Sequence, residues 1–129
     1  MIALVETAGG TFAVDLETGD VEPTDEAVER EPEPILNLPR LVAAAATGAT
    51  VVAVVDAKPP LLVSYDAGVT WRDAGRGLPP GRAVALSAGD PDTVVYAARN
   101  RLFASGNGGV FWSAVAGELP EIRRVTIRD

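Results

Sequence analysis

The sequence predicts an all-β fold built from a repeated unit of about 40 residues, and three observations predict it. The segment Ser64-Tyr65-Asp66-Ala67-Gly68-Val69-Thr70-Trp71 aligns with Ser105-Gly106-Asn107-Gly108-Gly109-Val110-Phe111-Trp112, 41 residues further on. A Leu-Pro pair follows each segment, at Leu78-Pro79 and Leu119-Pro120, again 41 apart, and a third pair, Leu38-Pro39, lies 40 residues ahead of Leu78. Hydrophobic residues make up 47% of the chain, largely as short Ala, Val and Leu runs. Such runs suit strands, because β-branched side chains pack well on a pleated surface. A period of this size with strand composition is the pattern of β-propeller blades, each of about four strands.

Each element can be placed in order. Ile2 to Glu6 reads as the second strand of a unit and Thr11 to Asp15 as the third. Glu17-Thr18-Gly19-Asp20 is a turn, and Val21 begins a fourth strand. The first strand of that unit is missing. After Leu38-Pro39 come strands at Leu41 to Ala46, Val51 to Val55 and Leu61 to Val63, with a short fourth opened by Trp71. The next unit repeats this at Ala83 to Ser87, Val94 to Ala98, Leu102 to Ala104 and Trp112. Glu121 to Asp129 is then a first strand with nothing after it. The termini read as complementary halves of one blade. The predicted organisation is a partial blade at 1–21 completed by a strand at 121–129, an acidic insertion at 22–37, and blades at 38–79 and 80–120.

The residues Ser64-x-Asp66-x-Gly68-x-Thr70-Trp71 resemble the Asp-box, or BNR repeat, of sialidase-like, sortilin-type and photosystem assembly-factor propellers. The second copy, Ser105, Asn107, Gly109 and Trp112, departs from it: Asn107 stands for the Asp and Phe111 for the Thr. The N-terminal unit keeps only Gly19. The resemblance covers nearly the whole chain as a blade pattern and implies a structural role for the box. Its physics agrees. A carboxylate at Asp66 can accept backbone N–H groups of its own turn, Gly68 tolerates a positive φ, and Trp71 can bury its ring between blades. A lone carboxylate makes a poor metal site.

Three blades are too few to close, since propellers use about four to eight. The simplest remedy is a two-fold homodimer of six blades, with strand 121–129 completing the partner's first blade. The other reading is that the chain is a fragment of something longer.

Composition excludes several chemistries. The chain has no Cys and no His, so disulfides, Ser-His-Asp triads and ordinary zinc sites are out. No cofactor or metal is expected. A net charge of −7 disfavours nucleic acid and anionic membrane as partners. The first six residues lack a basic, apolar leader, and no apolar run approaches a membrane span. These observations predict a soluble, cytoplasmic protein.

In such propellers the binding mouth is built from the loops between second and third strands and between blades. Arg40, Lys58, Arg76, Arg82, Arg99, Arg101 and Arg123 fall in or beside these loops, and Asn100 lies between two of them. Clustered guanidinium groups suit carboxylates and phosphates. The same distribution also follows from the preference of charge for solvated loops. The insertion, rich in Glu and Pro from Glu22 to Pro34, could cover the mouth, neutralise its arginines or simply be a mobile acidic loop. The function expected is a non-catalytic binding or interaction module for an anionic ligand or partner protein. The alternatives are lectin-like glycan binding and a sialidase-like hydrolase.

Overall fold

The computed structural model describes residues 1–29 and 32–128. Arg30 and Glu31 of the predicted insertion, and Asp129 of the predicted last strand, lie outside the described residues. Among the described residues the chain forms β1 (Ile2–Thr7), β2 (Gly10–Asp15), β3 (Val21–Pro23), β4 (Leu41–Thr47), β5 (Thr50–Val55), β6 (Leu61–Ser64), β7 (Arg72–Ala74), β8 (Gly81–Leu86), β9 (Val94–Ala98), β10 (Leu102–Ser105), β11 (Ser113–Val115) and β12 (Ile122–Arg128), with no helix. The strands sort into three four-stranded sheets, antiparallel throughout. Sheet 1 has the order β12-β1-β2-β3, sheet 2 β4-β5-β6-β7 and sheet 3 β8-β9-β10-β11. The expected strands are all present, and the short fourth strands begin one residue after Trp71 and Trp112.

The two ends of the chain do form one sheet. Ala3 pairs with Ile127, Leu4 with Thr126 and Val5 with Val125. The strand was expected to come from a partner chain; here β12 pairs with β1 of its own chain. A short connection from β11 delivers β12 beside sheet 3, where Ile122 and Val125 bury against Ala83, Ala85 and Val95. The β1 strand meets it there.

Sheet 3 lies between the other two. Its strand β9 alternates: Val95 and Ala97 face sheet 1 with Ala3, Val5 and Val14, while Val94 and Tyr96 face sheet 2 with Val52, Val54 and Leu61. This two-residue period explains an uninterrupted apolar strand, since both of its faces are buried. Each such Val contributes about 1.5–3 kcal/mol when removed from water. No comparable core joins sheets 1 and 2 among the described residues.

Tyr96 anchors the second core. It is fully buried, its hydroxyl donates to the Pro79 carbonyl at 2.6 Å, and its ring meets Trp112 edge-on at 5.9 Å. Burial pushes its phenol up to about 12. Gly81 is required beside it, because a methyl group there would lie 2.5 Å from Tyr96 Cζ.

The segment between β3 and β4 touches sheet 1 near its start and the Gly68 turn of sheet 2 near its end. Arg128 of β12 pairs with Glu26, and Val28 is buried. Further on, a methyl at Gly68 would lie 3.8 Å from Leu36 Cδ2. The equivalent Gly109 of sheet 3 faces Leu61 and Ala74 of sheet 2 instead.

Gly81→Ala is expected to destabilise the fold by about 1–3 kcal/mol through overpacking. Gly106→Ala, with open space around it and no positive φ, is the control and should change little. Urea midpoints of the two variants measure the difference.

Candidate functional site

Backbone hydrogen bonds bring the two kinds of loop to one end of the sheets. The Ala8 N–H donates to the Glu121 carbonyl (2.8 Å), Asp56 to Arg40 (2.9 Å), Leu119 to Asn100 (2.8 Å) and Ile122 to Arg99 (2.7 Å). Each bond ties a loop between second and third strands to the start of a first strand or the connection just before it. The predicted mouth residues therefore share one end of the sheets.

They divide into groups there. Arg82, the second residue of β8, donates to Glu121 Oε1 at 2.8 Å. Arg99 Nη2 lies 3.9 Å from the other Glu121 oxygen. The hydrogen bond from Arg82 holds the Glu121 carboxyl below its usual range, and the charges of Arg82, Arg99 and Arg123 add to this. Asn100 and Arg101 continue the same loop. Arg101 is half-buried, with its Nε unpartnered among the described residues. Lys58 and Arg76 form a second group along a groove with Pro59, Pro60 and Leu78. Arg40 stands apart at the start of β4, with a left-handed φ of 59°.

The first strands β4, β8 and β12 wall a cavity of about 240 Å³. Arg82, Arg123 and Arg124 line it, with Glu29 and Glu33 of the insertion opposite in charge. Sequence reasoning missed Arg124, because the expected mouth loop ended at Arg123 and strand alternation sends neighbouring side chains to opposite faces. The register shift beside Glu6 and Thr7 leaves both side chains exposed. Arg124 also approaches Glu6 at 3.7 Å. Glu121 as the common partner of Arg82 and Arg99 was missed as well; the 39-residue separation carries no local signal.

The turns between third and fourth strands form a separate construction. Ser64 Oγ accepts the Gly68 N–H at 2.8 Å and donates to Asp66 Oδ1 at 2.7 Å. Asp66 accepts the Thr70 N–H at 2.8 Å and the Thr70 hydroxyl at 2.5 Å. Gly68 sits at φ 90°, where a Cβ would be strained. The second turn repeats the pattern: Ser105 takes the Gly109 N–H at 2.9 Å and Asn107 takes the Phe111 N–H at 3.0 Å. Trp112 Nε1 donates to the Gly109 carbonyl at 2.9 Å. Trp71 is half-buried against Gly68. In the N-terminal unit Asp15 accepts Glu17 and Thr18 N–H groups, which hold its carboxyl below the usual range. These polar atoms are consumed by their own turns.

Among the described residues no three metal-ligating side chains cluster, and no helix is long and apolar enough to cross a membrane. Neither protein-family models nor curated proteins gave a match to this chain.

The first turn titrates and the second does not. The Thr70 hydroxyl, the Thr70 N–H and the Ser64 hydroxyl lower the Asp66 carboxyl to about 2 from 3.8. Its stabilising contribution is therefore full above the unfolded value and lost as pH falls from about 4 through about 2. Asp66→Asn is expected to flatten the acid limb of the stability curve, and Asn107→Asp to steepen it. Thermal melts of both variants across this pH range provide the measurement.

Proposed function

We propose that the three sheets are blades of an Asp-box propeller, that two copies complete a six-bladed ring, and that the ring is a non-catalytic binding module. Its arginine-bearing mouth receives an anionic group, carboxylate or phosphate, of a small ligand or partner protein. One observation carries this reading: Arg82, held on Glu121 with Arg99 3.9 Å from the same carboxylate, lines the cavity between the first strands together with Arg123. Guanidinium groups held together at a concave site favour bidentate recognition of planar or tetrahedral anions.

The ring is supported by the sheets themselves. Sheet 3 shares a core with a neighbouring sheet on each face, whereas sheets 1 and 2 each share a core only with sheet 3 among the described residues. A two-fold partner would supply the missing neighbours, and closed two-fold assemblies are the commonest kind.

The alternatives find less support. A sialidase-like mechanism needs a free tyrosine. Tyr96 is buried on the Pro79 carbonyl, and Tyr65 is engaged by Arg72, through a 2.9 Å hydrogen bond and a guanidinium 5.4 Å above its ring. Sugar stacking needs exposed rings at the mouth. The aromatic residues Phe12, Tyr65, Trp71, Tyr96, Phe103, Phe111 and Trp112 all fall outside the mouth loops.

The test is calorimetric titration with citrate and with inorganic phosphate. Saturable binding is expected, weakened about tenfold or more in Arg82→Ala/Arg99→Ala/Arg123→Ala, because each charge-assisted hydrogen bond contributes about 1.5–3 kcal/mol. Equal binding by the triple variant would remove the mouth from the proposal. Turnover of a chromogenic sialoside would replace it with a hydrolase. Light scattering should give a mass near twice 13.4 kDa; a single-chain mass would remove the ring.

A further inference from the structure

We infer that the long connection between β3 and β4 decides which copy of the chain completes the split sheet: its length keeps β1–β3 with the β12 of their own chain, and shortening it passes them to a second copy. The inference deepens the proposed ring and rests on it.

The observation is a contrast between connections. β7 joins β8 through residues 75–80, and β11 joins β12 through 116–121. Each of these links adjacent sheets, from the last strand of one to the first strand of the next. The connection from β3 to β4 runs through residues 24–40, and it joins sheets that are not adjacent. Sheet 3 stands between sheet 1 and sheet 2, with a buried core on either side.

Chain reach makes this decisive. Packed sheets lie about 10 Å apart and neighbouring strands about 4.8 Å apart. Crossing a four-stranded sheet and moving to the next one therefore needs about 17 Å. A six-residue connection reaches about 25 Å when fully extended, which suffices. Moving to the sheet beyond needs at least about 25 Å in a straight line, and sheet 3 obstructs the direct path. Residues 24–40 can extend to about 60 Å, enough to go around.

The segment's contacts follow such a route. Glu26 begins it against sheet 1, through the Arg128 pair. Glu29, Pro32 and Glu33 line the cavity between the first strands of all three sheets. Leu36 ends it beside Gly68 of sheet 2.

In a six-sheet ring, sheet 2 has a second neighbour besides sheet 3, and that place is filled by a sheet 1. With the long connection it is the partner's sheet 1. With a connection of ordinary length, only the chain's own β1–β3 can stand there. They are then separated from their own β12 by the whole arc and must take the partner's. The same ring results, with the strand exchanged between copies. Short hinge connections are known to drive exchange of this kind.

The absence of cysteine gives a clean test. Leu4 and Thr126 are paired residues of β1 and β12, and facing strand pairs lie within disulfide reach. Leu4→Cys/Thr126→Cys is oxidised in dilute solution and run on a non-reducing gel. In the intact chain the bond is expected within one chain, leaving a monomer band. In a chain lacking 24–34, which leaves an ordinary six-residue connection, it is expected between chains, giving a dimer band. Deletions of 27–30 and of 24–31 should raise the dimer fraction stepwise, so the series is readable even where the largest deletion fails to fold. Replacing 24–34 by an equal length of Gly and Ser should leave the monomer band unchanged. A monomer band throughout the deletion series overturns the inference, as does a dimer band from the intact chain or from the Gly-Ser chain. Light scattering on the intact protein reads the ring separately: a single-chain mass there, with exchange in the deletions, would sink the ring and leave the role of the connection standing.

Discussion

Pairing of β12 with β1 is the contact on which most of this structure depends. It joins Ile2 to Arg128 across nearly the whole chain. Without it, β1 becomes an unpaired edge, and open edges invite association. The consequence also reaches the core. Ile122 and Val125 pack with Ala3, Val5 and Val14 against sheet 3, so releasing β12 would open one of the two hydrophobic clusters. The same strand and the residue before it place Glu121, Arg123 and Arg124 at the mouth and cavity. One long-range ladder thus closes a sheet, completes a core and builds the candidate site.

The legible parts of this fold were the ones that local rules determine. Val94 to Ala98 and Val51 to Val55 read as strands because short β-branched runs bounded by turn residues have few other solutions. The turns at Asp66 and Asn107 were readable because serine, carboxylate or amide, and glycine act within a few residues of one another. Even the incomplete N-terminal unit was readable by comparison with its neighbours. The partner of β12 was not. The ladder looks the same to the sequence whether β1 belongs to the same chain or to another, and the choice depends on chain reach and sheet order.

The site was legible only as a set of residues. Arg40, Arg76, Arg99 and Arg101 lie on the expected loops, while Arg82 and Arg123 are the second residues of β8 and β12, and the grouping of all six follows from side-chain reach across the sheets. Arg82 and Arg99 meet through Glu121, while Lys58 and Arg76 lie along a separate groove. Arg124 escaped notice because the expected loop ended at Arg123; a register shift, invisible in the sequence, leaves Arg124 on the cavity beside it. Arg101, expected at the mouth, is half-buried with its Nε enclosed.

Glu121 changes what the mouth can select. The chain carries a net charge of −7, so an approaching anion is repelled by the molecule as a whole and attracted only near the arginines. Screening over about 8–10 Å at ordinary salt confines both effects to short range. At the mouth Glu121 already occupies one face of Arg82 and the edge of Arg99. Under the proposed function, a ligand gains most by engaging the donors that Glu121 leaves open, or by offering Arg82 more acceptor oxygens than one carboxylate does. A phosphate or a polycarboxylate meets that demand better than a single carboxylate, which would only exchange one like group for another. The built-in carboxylate also holds the guanidinium groups in place before any ligand arrives. If the proposed mouth binds an anion, that ordering lowers the entropy lost on binding, and the cationic groups of an acidic protein are organised in advance.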